Sequence, residues 1–169
     1  MPSTVTITTR NQTTPDALAT MTTTLPTFGP ALTRRDIAEI GDGTGAYILN
    51  LYVPTLLLLP VGRLGKLSIA PGQYHYFGSA YGPGGIRARV ARHMRTANKR
   101  PHWHIDHLAQ AVGVQSAHVF PGGNECDLIA HFSREHSLST PFAGFGSSDC
   151  VFCDAHLLAQ KQHHPTLAS

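Results

Sequence analysis

The chain is expected to fold as a small α/β domain of the α+β kind, with a central three-stranded, mostly antiparallel sheet flanked by helices. Three observations carry that expectation. Residues from Gly45 alternate in character as a strand does, and Tyr74 to Ser79 repeat that character some thirty residues later. Between this second stretch and a helix-period stripe lies Gly82-Pro83-Gly84-Gly85, which cannot continue a strand. Beyond it, helical and strand-like stretches succeed one another without any internal repeat, as in a single mixed domain.

In chain order, residues up to about Ala31 are rich in Thr and Pro and have no sustained apolar period, which reads as a flexible tail. Thr33 can N-cap a short helix that starts at Arg34 and ends near Gly41, so residues 1–42 are read as a tail carrying one short helix. The folded domain is expected over 43–160, with a C-terminal tail over 161–169. In the first strand Tyr47, Leu49, Leu51 and Val53 alternate with Ile48, Asn50 and Tyr52, the pattern of a strand with one buried face. Pro54-Thr55 reads as a turn, Leu56 to Val61 as a fully buried strand, and Gly62 to Gly72 as a glycine-punctuated excursion before the third strand. Ile86, Val90 and Met94 recur at i+4 and set a helix from about Ile86 to Arg95. A second helix is expected around Trp103 to Ala111, a strand over Ser116 to Phe120, and a helix from Glu125 to about His136, buried on Leu128, Ile129 and Phe132. From Ala143 the chain reads as a Gly/Ser loop, a Cys/His cluster and a short helix.

With 169 residues the chain suits one domain with a core of its own. The net charge of +3 is modest but unevenly spread. From Gly43 to Ile105 there is no Asp or Glu, while eight Lys and Arg residues fall there. Such a one-signed stretch favours a polyanion or phosphorylated ligand, although a solvated basic face would look the same. No charged start followed by an apolar run marks a secretory signal, and the longest aliphatic run, Leu56 to Leu59, is too short to span a bilayer. Three cysteines, an odd number, argue for a reducing compartment, so the protein is expected to be cytoplasmic.

Four features carry chemistry. Tyr47 and Tyr76 each stand two residues from a glycine, which lets a backbone or ligand approach, though strand tyrosines also serve as packing. A phenol that is to act as a base needs a cation beside it, and Arg89 or a metal could supply one. Arg89 and His93, four apart, flank the apolar stripe of their helix and pair a planar phosphate fork with a group titrating near neutrality. Glu125, in the first turn of its helix, suits the helix dipole but is also a hard oxygen ligand for Mg²⁺ or Mn²⁺. Finally, Cys150, Cys153 and His156 form a C-x2-C-x2-H cluster to which Cys126, His102 and His104 could add; free thiols are the favoured reading and a structural zinc the lesser one. Trp103, the sole tryptophan, reads as a helix anchor or a stacking surface for a base.

Gly45-Ala46-Tyr47, Tyr76-Phe77-Gly78, Arg89, His93 and Glu125, in this order and spacing, resemble the GIY-YIG nuclease superfamily. The strings Gly62-Arg63-Leu64-Gly65, Gly78 to Gly85, His102-Trp103-His104-Ile105-Asp106 and Gly144 to Cys150 are similar to one branch of it, small prokaryotic proteins of which some are fused to endonuclease III-type DNA glycosylases. The resemblance spans roughly Gly43 to Leu158. It implies a domain around a three-stranded antiparallel sheet, with Tyr47 beside the attacking water as general base and Tyr76 orienting the site. It also implies Arg89 on the scissile phosphate, His93 near that phosphate and one divalent ion on Glu125. Ala46 and Phe77 stand where the name motifs have isoleucine. An asparagine that many members carry after the metal-binding helix has no clear counterpart, and Ser147, Ser148 or Asp149 occupies the nearest region.

The expected function is therefore a metal-dependent DNA endonuclease, in repair or in processing DNA, with Arg87, Arg92, Arg95, Lys99 and Arg100 contacting nucleic acid. The alternative from another class is a non-catalytic nucleic-acid-binding module with a degenerate nuclease fold. A sugar-phosphate or nucleotide binder is disfavoured because no recognisable phosphate loop is present.

Overall fold

The computed structural model describes residues 29–95 and 100–160. The expected tails over 1–28 and 161–169, and Lys99, lie outside them. No helix among the described residues is long and apolar enough to cross a membrane.

Among the described residues the sheet has five strands rather than three. Strand β1 (Gly45–Val53) lies at its heart, β4 (Gly72–Ser79) and β5 (Ser116–Pro121) flank β1, and β7 (Leu157–Gln160) and β6 (Leu138–Ser139) extend it beyond β4 in the order β5-β1-β4-β7-β6. Every pairing is antiparallel. Because β1 has a neighbour on each side and helices on both faces, it is buried on both faces along its first half, not on one. Its odd residues, Tyr47, Leu49, Leu51 and Val53, join one core cluster with helices α1 (Gly85–Met94) and α2 (His104–Val112). Its even residues Ala46 and Ile48 join a second with Phe77, Phe120 and helix α3 (Glu125–Glu135). The domain is thus three-layered, with α1 and α2 on the front of the sheet and α3 on the back. Each fully buried Leu or Phe in these clusters stabilises the layers by about 1.5–3 kcal/mol relative to exposure.

Several local expectations are corrected. Leu56 to Val61 is not a buried strand of the main sheet: Leu57–Pro60 is β2, which pairs with β3 (Lys66–Ile69) as a separate two-stranded ribbon. Leu56 and Leu58 there are 63% and 57% exposed, since alternation along a two-stranded ribbon turns every second side chain to solvent. The chain after the Cys/His cluster is strand β7, not a helix, because it pairs with Tyr74 to Tyr76 on one side and with β6 on the other. Thr33 caps as expected, accepting from the Arg35 N–H while Asp36 accepts from the Thr33 N–H, but the six residues Arg34–Glu39 wind as a 3₁₀ helix. This stretch belongs to the folded body: Leu32 bridges to Ala117 at the sheet edge and Ile40 is buried.

Candidate functional site

Tyr47 and Tyr76 face the front of the sheet as diagonal neighbours, since Tyr47 sits opposite Gly78 and Leu49 opposite Tyr76. Gly78 is glycine for a steric reason. A β-carbon there would come within 2.5 Å of three atoms at the hydroxyl end of the Tyr47 side chain. Gly146 plays the corresponding part for Tyr76, whose ring occupies the space its β-carbon would fill, and its φ of 76° suits glycine besides. Gly78→Ala is therefore expected to destabilise the fold by roughly 1–3 kcal/mol through overpacking. In a Tyr47→Ala background the same change should cost little. A double-mutant cycle by urea denaturation measures this, and equal costs in both backgrounds would show that the ring is not the obstacle.

The Tyr47 hydroxyl lies 3.0 Å from His93 Nε2, and His93 Nδ1 lies 3.1 Å from Asp106 Oδ1. His93 and Asp106 are both buried, and Asp106 is completely so. An ionised carboxylate only accepts, so Asp106 fixes the proton on His93 Nδ1 and leaves Nε2 to accept from the phenol. The other oxygen of Asp106 accepts from Arg92 Nη2 at 3.1 Å and from the backbone N–H groups of His102 and Trp103, which caps α2. Asp106 is the residue of this buried contact chain that sequence spacing does not single out. Its position three residues into a helix start, in His102-Trp103-His104-Ile105-Asp106, was the available signal.

Burial, reinforced by the neighbouring Tyr76 and by Asp106 and Glu125, pushes the Tyr47 hydroxyl well above the ordinary phenol range. Arg89 pulls the other way, toward the phenolate as expected, but burial outweighs it. Burial, with Asp106 and Glu125, likewise raises Tyr76. Both phenols are protonated at neutral pH, and the hydrogen bond to His93 gives the Tyr47 proton somewhere to go.

Arg89 is held by a stacking contact: its guanidinium carbon lies 4.4 Å from the centre of the Trp103 ring, and that of Arg92 lies 5.0 Å away. Trp103 also meets His93 edge-on at 5.7 Å. The tryptophan thus orients the guanidinium without spending its hydrogen-bonding fork.

At the far wall, Asn124 caps α3 by accepting from the Cys126 and Asp127 N–H groups, which sets Glu125 in the first turn at the sheet's end. Tyr47, Tyr76, Arg89, His93 and Glu125 all line one open cleft of about 520 Å³, together with Trp103, Ser148 and Asp149. Ser147 instead turns inward and donates to the Asp154 carbonyl at 3.0 Å. One half-buried carboxylate facing open space fits a magnesium-type ion, which takes one or two protein carboxylates and completes its shell with water and substrate oxygens.

The arginines assigned to nucleic acid are placed unequally. Arg87 pairs with Asp42, and Arg92 with Asp106, the two acids that border the acid-free stretch. Arg95 and Arg100 are exposed.

In the wall of the same cleft, which Cys126, Cys150 and His156 also line, these three residues and Cys153 come together, with ligand atoms all within 4.8 Å of one another. Cys126 joins the three residues whose spacing was legible. His102 and His104 do not belong: His104 Nδ1 accepts from the Gly146 N–H at 3.1 Å, and the His102 ring packs on Trp103. Burial holds the His156 imidazole below its ordinary pKa, against the pull of Glu125.

The profile of the family described as domain of unknown function DUF123 matches residues 46–169, and the chain belongs to that family. Searches of curated proteins and of solved structures found no significant match.

Proposed function

We propose that this DUF123 chain is a metal-dependent DNA endonuclease of GIY-YIG type that hydrolyses a phosphodiester bond in the cleft between α1 and the start of α3. The observation that carries the reading is the chain of contacts Tyr47–His93–Asp106 opening onto the cleft that Arg89 and Glu125 also line. A hydrolase needs an acceptor for a water proton, a cation for the phosphate and a carboxylate for a metal, and one cleft offers all three.

In this mechanism a water held against the Tyr47 oxygen loses its proton to that oxygen as the phenolic proton passes to His93 Nε2. The water oxygen bonds to phosphorus while the bond to the 3′-oxygen breaks, and the departing oxygen takes a proton from solvent. No free phenolate is needed, which suits the high pKa of Tyr47, and the imidazolium that forms is stabilised by Asp106. Arg89, steadied on Trp103, holds the non-bridging oxygens. Mg²⁺ or Mn²⁺ held by Glu125 would supply Lewis-acid stabilisation of the charge on the leaving oxygen. Arg95 and Arg100 extend the cationic surface toward flanking phosphates.

Tyr47→Phe keeps the ring over Gly78 and removes only the relay oxygen. Its single-turnover cleavage of labelled DNA is expected to fall about 100-fold or more, with DNA affinity in EDTA unchanged within about twofold. If turnover survives the loss of the hydroxyl, the relay is not the route of the proton.

A further inference from the structure

We propose that Cys126, Cys150, Cys153 and His156 bind one zinc ion in a closed tetrahedral site that pins the 144–156 loop to the start of α3. The proposal stands independently of the nuclease reading.

The geometry is that of a preformed ligand set. Ligands around zinc at about 2.3 Å stand about 3.8 Å apart along the edges of a tetrahedron. Here Cys126 Sγ and Cys150 Sγ are 3.4 Å apart, and all four ligand atoms fall within 4.8 Å of one another. A disulfide would need sulfurs about 2.05 Å apart. The His156 Nε2 atom is buried without a hydrogen-bond partner among the described residues, a polar group that costs stability unless something satisfies it.

The surroundings of Cys150 are those of a thiolate. The Phe152 and Cys153 N–H groups point at Cys150 Sγ at 3.4 and 3.3 Å, the outer-shell bonds that support a metal-bound sulfur. Cys126 sits in the first turn of α3, where the helix dipole favours a negative sulfur. Three soft thiolates and one imidazole select zinc and reject Mg²⁺, whose ligands are hard oxygens. Four protein ligands close the coordination sphere, which makes the ion structural.

The consequence reaches the cleft through covalent neighbours. Glu125 immediately precedes Cys126, and Gly146, against which the Tyr76 ring lies, belongs to the pinned loop. The loop is already tied back on itself, with the Gly144 N–H donating to Asp154 and the His156 N–H to Phe145. Within it, the β7 side is joined to the sheet where the Phe77 N–H donates to the His156 carbonyl. The Cys126 bond to zinc is what would fasten this unit to α3.

Reduced full-length protein, purified without chelator, is to be assayed for metal by inductively coupled plasma mass spectrometry and reconstituted with Co²⁺ alone. One zinc per chain is expected, and the cobalt form should show tetrahedral visible bands with thiolate-to-cobalt charge transfer. Cys126→Ser and Cys153→Ser should each lower bound zinc by about tenfold or more. Glu125→Gln should retain it, which separates this site from the magnesium site. Wild-type protein that holds no zinc and gives no charge-transfer band overturns the proposal. So does a Cys126→Ser variant with full zinc content. If the variants fail to fold, the wild-type cobalt spectrum alone decides.

Discussion

Glu125→Gln is expected to lower Mg²⁺-dependent cleavage of DNA by about 100-fold or more, because the metal's electrostatic contribution to the transition state is worth several kcal/mol and each 1.4 kcal/mol is tenfold. Glutamine keeps the size of the side chain and removes the charge that would hold the ion. The cap on α3 is made by Asn124 and is untouched by the change, so the helix should persist. The loss of one acidic group near a helix start costs only about 0.3–1 kcal/mol of stability. DNA affinity measured in EDTA should stay within about twofold, since the cationic residues of α1 are unaltered. Initial rates on labelled DNA and fluorescence anisotropy read the two quantities separately. Equal cleavage by variant and wild type would leave an enzyme whose metal site lies elsewhere.

Asp106→Asn is expected to damage both fold and turnover. The carboxylate is completely buried and accepts from His93, from Arg92 and from two backbone N–H groups. An amide in its place retains one accepting oxygen and presents an N–H₂ group to a neighbour, leaving a buried arrangement partly unsatisfied. The expected loss is about 3 kcal/mol, read as a lower urea midpoint at an unchanged slope. Facing an amide N–H₂, His93 would carry its proton on Nε2, and the Tyr47 phenol would lose its acceptor. Turnover per folded molecule should then fall by roughly 10²–10⁴-fold, as when a buried aspartate that sets a catalytic histidine's tautomer is replaced. Lower stability with undiminished turnover would confine Asp106 to capping α2 and pairing Arg92.

The parts of the fold legible in the sequence were those with local periodicity. Strand β1 was visible in its alternation, α1 in Ile86, Val90 and Met94, and α3 in Leu128 and Phe132, all of which are buried. Strands β6 and β7 were not, because two and four residues carry no period and owe their conformation to pairing with distant chain. The Leu56–Leu59 run misleads for the opposite reason: its composition is that of a core strand, but it pairs with β3 in a ribbon apart from the main sheet.

The site divides in the same way. Tyr47, Tyr76, Arg89, His93 and Glu125 could be named from order and spacing, yet the partner of His93 could not. Asp106 reaches His93 only because α2 packs against α1, a contact between segments with no common local pattern. Cys126 joins Cys150 from 24 residues away, so the spacing alone offered three ligands rather than four. The basic stretch looks one-signed in the sequence because its acids stand just outside it, at Asp42 and Asp106, and fold back onto Arg87 and Arg92.

The central claim is metal-dependent phosphodiester hydrolysis in the Tyr47–Glu125 cleft, and cleavage by the wild-type chain tests it most directly. Labelled single-stranded, duplex, nicked and branched DNA are each to be incubated with the full-length protein in Mg²⁺, in Mn²⁺ and in EDTA, at low salt. The account predicts discrete cleavage products on at least one of these substrates with either ion, and none in EDTA. Intact DNA under every condition, from a protein that is folded and binds the same DNA, would contradict the account and leave a nucleic-acid-binding module on a nuclease-like scaffold.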